Sequence, residues 1–377
     1  MRKLFTLIII TSFFQPLHAQ TNIIPKFIRK MFFEKDSSRR PSLVLVPVIT
    51  SSPETGLELG GTALVSFYSD TTNKVTHVSK VSGYGTITTK SQTILTLSAN
   101  YWSPGNKLHL SGSASYIYYP FEFWGIGNAT RQVNEDNLIE HRSKINLESE
   151  KKYGDFLIGV VAGAFHYKFS DSNPDGIFNT SPQVEDKNGG STIFAGPSVI
   201  FDTRNNNTYT TKGTIVTAYL NVMQGVLGNN NYEGAFFNIE YSGFFAFTKQ
   251  LMLGFDVQEQ SLLGGQSPFY LLPAMGSDEM MRGYYTGRFR DRNFIAGQTE
   301  LRYRFADRFG VAAFAGTGEV FHTNFVARDL KPDYGGGVRY FFDVQKALSI
   351  RMDYGVGEKR PGESRQSGFY VALGESF

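Results

Sequence analysis

The sequence predicts an all-β fold, a 16-stranded antiparallel transmembrane β-barrel with a short N-terminal amphipathic segment, and three observations point there. Phe, Tyr and Trp make up 15% of the 377 residues, there are 39 Gly, and only 19% of residues are charged, a balance that suits sheet better than helix or disorder. Apolar and polar residues alternate through most of the chain, and some of the polar rows are charged. Brief connections follow the even-numbered segments, apart from the longer "NNNTYTT" after the eighth, and the connections after odd-numbered segments include the long ones, the asymmetry expected of a bacterial outer-membrane barrel.

In chain order, "MRKLFTLIIITSFFQPLHAQ" begins with Arg2 and Lys3, runs apolar from Leu4 to Phe14, and breaks at Pro16 before Ala19. This reads as a secretory signal peptide over residues 1–19, because the apolar run falls well short of the ~20 residues a membrane helix needs. Without Arg2 and Lys3, Lys plus Arg falls from 37 to 35 against 34 acids, so nothing favours a nucleic-acid partner. Residues 20–41 place Ile23, Ile24, Phe27, Ile28, Met31 and Phe32 at helical spacing opposite Lys26, Arg29 and Lys30. The segment reads as a short periplasmic amphipathic helix or as a frayed leader, and about 20 residues are too few for a separate domain.

The barrel is expected over residues 42–377, with strands near 42–50, 58–69, 75–88, 91–102, 106–119, 139–152, 154–169, 190–203, 212–223 and 233–246. Six more are expected near 249–263, 292–305, 308–321, 333–343, 346–357 and 367–377. In "RNFIAGQTELRYRF", Ile295, Gly297, Thr299, Leu301, Tyr303 and Phe305 share one face, and Gln298, Glu300, Arg302 and Arg304 share the other. A charge row of that kind suits a barrel lumen and not a soluble sandwich core. No apolar run after the signal peptide is long enough for a membrane helix.

Several chemistries are excluded. The absence of Cys removes disulfide frameworks and thiolate zinc sites. His109 and Ser111 in "KLHLSGS" share a face, yet that face should be lumenal, where a membrane-lipid hydrolase would not meet its substrate. Asp171, Asn173, Asp175 and Gly176 open like a calcium loop, but Pro182 stands where its bidentate Glu belongs, so the stretch reads as an Asx-rich turn. Phosphate-cradling, dinucleotide and HExxH patterns do not appear, and "GIGNAT" lacks the third Gly. The sequence therefore implies no enzyme activity, no metal and no cofactor.

Other stretches carry a resemblance. "MMRGYYTGRFRDRN" resembles the sixth extracellular loop of the bacterial surface-antigen superfamily of assembly and secretion barrels, with its hydrophobic-Arg-Gly-aromatic tetrad matched by Met281, Arg282, Gly283 and Tyr284. That family loop joins the eleventh and twelfth of sixteen strands, which is where the independent strand count places it. "FDTRNNNTYTTKG" resembles the family's periplasmic Asp-x-Arg turn, through Asp202 and Arg204, and "FWGIGN" a loop signature of smaller members. "YGGGVRYFF", "IRMDYGVG" and "GFYVALGESF" resemble its last three strands, with Phe377 as the C-terminal aromatic of an assembly signal.

The resemblance implies that Arg282 folds into the lumen and pairs with an inward acid. The family's Phe-x-Asp-x-Gly becomes Phe314, Gly316 and Gly318 here, so the usual acid is missing. Glu319 has the wrong parity and should point outward unless the strand is bulged; Glu300 or Asp353 is the expected partner. Members that insert barrels or secrete polypeptides usually carry periplasmic polypeptide-transport-associated (POTRA) domains, for which the stretch before Ser42 is too short. The implied roles are assembly or translocation, with outer-membrane lipid and unfolded outer-membrane proteins or other assembly components as the expected partners. The alternative is a lumen-constricted channel or structural barrel.

Overall fold

The computed structural model describes residues 40–377 apart from 74–75, 207, 228–231 and 345–346. The expected signal peptide, and all but the last two residues of the expected amphipathic segment, lie outside the described residues. Sixteen strands follow in order: β1 (Ser42–Ser52), β2 (Gly56–Phe67), β3 (Ser79–Thr88), β4 (Thr93–Trp102), β5 (Leu108–Phe123), β6 (Asp136–Tyr153), β7 (Phe156–Asp171) and β8 (Ser191–Asp202). The second half comprises β9 (Gly213–Leu227), β10 (Glu233–Ala246), β11 (Leu251–Gly264), β12 (Asn293–Ala306), β13 (Phe309–Phe321), β14 (Lys331–Asp343), β15 (Leu348–Val356) and β16 (Ser367–Leu373). Each pairs antiparallel with its sequence neighbours, and β16 meets β1 to close the barrel.

Alternation decides which side chains face out. On β4, Leu95 and Leu97 are exposed on the outer surface while Thr96 and Ser98 turn inward. On β12 the outward row includes Leu301 and Tyr303, and Gln298, Glu300 and Arg302 are buried inside. The outer surface is thus an apolar band, and the polar set is consumed by the lumen. No described helix is long and apolar enough to cross a membrane; strands carry the apolar band instead.

Several boundaries depart from the sequence expectation, and three places bear on the site or the wall. The β5–β6 hairpin is longer at both strands, pairing from Leu108 with Lys151 as far as Phe123 with Asp136. Pro120 makes its upper part look like a loop, yet Phe121 and Phe123 point inward onto Phe169, Phe178 and Phe269 in a lumenal apolar cluster that rewards the extra pairing. The connection after β2 occupies residues 68–78 and is longer than the expected tight turn. Finally, β16 stops at Leu373 instead of continuing to Phe377: Gly374 adopts φ +81°, which favours glycine, and residues 374–377 turn into the lumen.

Closure is uneven around the wall. β1 pairs with β2 from Ser42 opposite Ser66 through Ser52 opposite Gly56, but with β16 at a single register position, Ser51 opposite Val371.

Candidate functional site

The connection between β11 and β12, residues 265–292, enters the lumen instead of leaving the rim. Its shape is set locally: the Ser277 N–H donates to Met280 O at 2.9 Å, and the Met275 and Gly287 N–H groups donate to Phe289 O and Met275 O at 2.9 and 3.0 Å. Met275, Met280, Met281, Tyr284 and Phe289 then pack against Phe294 and Ala296 of β12 and Val320 of β13. Each such side chain is worth about 1.5–3 kcal/mol when fully buried, so the loop is held as a packed element.

Met281, Arg282, Gly283 and Tyr284 sit at the centre of this seat, and all four are buried. Gly283 has φ +106°, and a Cβ there would stand 2.8 Å from the carbonyl carbon of Gly355 on β15. Reciprocally, a Cβ on Gly355 would meet the carbonyl carbon of Arg282 at 2.5 Å. The tetrad therefore lies backbone to backbone on β15, an approach that only two glycines permit. The Gly283 N–H donates to Tyr370 Oη of β16 at 2.8 Å. Tyr284 Oη donates to Pro332 O at 2.7 Å and accepts from the Glu358 N–H at 2.8 Å.

Both candidate acids lie against Arg282. Its Nη2 is 2.7 Å from Glu300 Oε2 and its Nη1 is 2.8 Å from Asp353 Oδ2. The Phe314 ring centroid lies 3.4 Å from the guanidinium carbon, stacking on its face. The pairing is wider than the expected choice between two acids, since Glu300 also receives Arg302 Nε at 2.6 Å and Asp353 receives Arg339 Nη1 at 2.5 Å. Arg351 Nη2 contacts Asp278 of the loop at 2.5 Å and its Nη1 lies 3.3 Å from Asp353.

The inward-turned tail completes this network. Glu375 Oε2 is 2.8 Å from Arg339 Nε and 3.5 Å from Arg302 Nε, and Ser376 Oγ donates to Glu300 at 3.3 Å. The Phe377 ring lies 4.8 Å from the Arg302 guanidinium carbon, and its edge occupies the space beside Gly254 of β11. Arg282, Arg302, Arg339 and Arg351 thus face Asp278, Glu300, Asp353 and Glu375, four cations against four acids, in which Glu300, Asp353 and Glu375 are each shared by two or more arginines and Asp278 meets Arg351 alone. Balance matters because an uncompensated charge in such a site is costly.

Gly316 lies directly opposite Asp333 of β14, and a Cβ on Gly316 would collide with the Asp333 carboxylate. The acid absent from β13 therefore has a counterpart one strand away, filling the same space beside Gln298. Among the described residues Asp333 is buried with both oxygens lacking a hydrogen-bond partner. Glu319 differs from expectation: its parity is outward, yet it is 2% exposed, because the 322–330 connection folds over it and the Val326 N–H donates to its Oε2 at 3.3 Å.

At the opposite rim, Arg204 forks onto Asp202, Nε to Oδ1 at 3.0 Å and Nη2 to Oδ2 at 2.8 Å, at the start of the 203–212 turn. His109 and Ser111 face the lumen and meet different acids, Glu150 at 2.8 Å and Glu148 at 2.9 Å, so no nucleophile–base pair forms. Asp171 accepts from the Asn173 N–H at 2.8 Å and from Asn179 Nδ2 at 2.7 Å, an Asx turn whose oxygens serve the loop.

Sequence reasoning missed Asp333, Gly355, Tyr370 and Glu375. Gly355 left a trace, two places after Asp353 on one face; the other three depend on register across strands or on where β16 ends.

The family model described as "Omp85 superfamily domain" matches residues 78–377. No curated protein matches the chain. Among solved structures, the barrel is similar to BamA from Haemophilus ducreyi lacking POTRA domains 1–3, with a TM-score of 0.60 at 12% identity over 89% of this chain and 70% of that one. It is also similar to CdiB from Acinetobacter baumannii, with a TM-score of 0.56 at 13% identity over 88% of this chain and 59% of that one. CdiB from Escherichia coli gives a TM-score of 0.52 at 10% identity, covering 93% and 74%.

Proposed function

The chain belongs to the Omp85 superfamily, and on that premise we propose that it resides in a bacterial outer membrane and helps outer-membrane proteins insert, or polypeptides cross, at the seam between β1 and β16. One observation carries this reading: β1 is fully paired with β2 but meets β16 only at Ser51 and Val371. Strand edges with unpaired N–H and C=O groups are templates for an incoming strand. Each ladder hydrogen bond is worth only about 0.5–1.5 kcal/mol net, so so short a ladder opens at small cost. Outer-membrane lipid would solvate the apolar band, and unfolded barrel proteins are the partners this edge suits. A filled lumen argues against an open channel, because the 265–292 connection occupies its centre.

The chain has no Cys, so the double variant Ser51→Cys, Val371→Cys would introduce the only thiols. Reconstituted in liposomes, the reduced protein should accelerate folding of a small outer-membrane barrel client, and oxidation across the seam should abolish the effect reversibly. Equal acceleration by the crosslinked form would sink the proposal.

A further inference from the structure

Between the inner faces of β4 to β7 and the 265–292 connection lies a cavity of about 280 Å³. Its walls are largely aromatic, with Tyr119 and Phe121 from β5, Tyr167 and Phe169 from β7, and Phe269 and Tyr270 from the connection. Three charged side chains reach it: Glu140 and Arg142 from β6, and Arg290 from the connection. Arg142 Nε lies 3.3 Å from Glu140 Oε1. Arg290 donates from Nε to Gly287 O at 3.3 Å, its guanidinium carbon lies 5.4 Å from the Phe123 ring centroid, and among the described residues no carboxylate pairs with it.

Neighbouring acids are already engaged. Glu122 holds Lys90 at 3.0 Å, Asp186 accepts from Tyr270 Oη at 2.5 Å, and Glu54 accepts from the Thr286 N–H at 2.5 Å. Arg290 is a cation, because a guanidinium is not deprotonated near neutral pH. The lining therefore carries two guanidiniums against one carboxylate, Glu140, which attracts both Arg142 and Arg290, so one positive charge is left over and a buried excess charge is costly.

We propose that this cavity binds a small organic monoanion with a flat aromatic or short apolar body. Arg290 takes the carboxylate or an equivalent planar anion through its Nη groups, and the aromatic walls hold the body. Inorganic phosphate fits less well, because it offers the walls no apolar surface and brings more negative charge towards Glu140. The assignment is independent of the seam, so its failure leaves the proposed function untouched.

Calorimetry on the full chain in lipid nanodiscs, with benzoate, inorganic phosphate and benzyl alcohol as probes, tests it. Benzoate should saturate one site, with phosphate and benzyl alcohol at least about tenfold weaker. Arg290→Gln should weaken benzoate binding about tenfold or more, and Glu140→Gln, which removes the competing negative charge, should tighten it. Ala274→Leu, opposite Arg290 in an isolated bridge, fills the cavity without removing a charge and should block binding as well, with gel mobility before and after heating checking that each variant folds. Benzyl alcohol matching benzoate overturns the charge argument, phosphate matching benzoate overturns the role of the walls, and benzoate binding unchanged in either Arg290→Gln or Ala274→Leu overturns the site.

Discussion

The hydroxyl of Tyr370, on the last strand, accepts the N–H of Gly283, on the loop that fills the lumen, at 2.8 Å. Both groups are buried, so neither has water as a substitute, and the bond ties the loop seat to the strand that borders the seam. Tyr370→Phe should leave the Gly283 N–H unsatisfied and cost about 1–3 kcal/mol. Urea unfolding of the barrel in liposomes measures it, and a loss below about 0.5 kcal/mol would show that the bond is dispensable.

Arg282→Ala should destabilise by about 3–5 kcal/mol, because Glu300 and Asp353 would each lose a buried partner. Arg282→Lys keeps the charge but cannot fork between two acids, so it should fall between wild type and Ala. The same unfolding experiment ranks the three proteins, and a Lys variant as stable as wild type would reduce the fork to a point charge.

Gly355→Val tests the backbone contact. A side chain there meets the carbonyl carbon of Arg282, so the loop must leave its seat. Arg282, Arg288 and Arg290 should then become trypsin sites in a barrel that otherwise remains intact, with cleavage at least tenfold faster than in wild type. Unchanged protection would mean that β15 yields instead of the loop.

The relation between Gly316 and Asp333 predicts non-additivity. Gly316→Asp alone forces two carboxylates into one space and should cost roughly 1–3 kcal/mol by crowding and like charge. Adding Asp333→Gly should restore most of it, since the acid has only moved one strand across. Additive losses in the two single variants and the double would disprove the exchange.

Glu375→Gln should leave Arg302 and Arg339 sharing too little negative charge, at a cost of about 1–3 kcal/mol, and free residues 374–377. Hydrogen exchange at the amides of residues 374–377 should then be faster than in wild type; an equal rate would show that Phe377 packing alone holds this segment.

What was legible in the sequence follows from what is local. Alternation of side chains located the wall, and the charged row of β12 declared the lumen, because both are properties of one strand. Pro120 hid the upper hairpin since its benefit comes from Phe169, Phe178 and Phe269, far away in sequence. The alternation of "GFYVALGESF" runs on past Leu373, and only the positive φ of Gly374 breaks it. Glu300 and Asp353 could be named as candidates for Arg282, but that both contact it depends on the side chain standing between β12 and β15. Asp333 was invisible for the same reason: one sequence does not show which residue of β14 faces Gly316.

The methionine-rich packing beneath the loop has a consequence for any traffic. Met275, Met280, Met281, Tyr284 and Phe289 form a small folded core inside the bore, together with wall residues. Clearing the bore is therefore a local denaturation, with thioethers and rings returned to water, and not the swing of a door. A passenger that uses the side of the cylinder leaves that core intact, whereas one that goes through the middle must melt it on every passage.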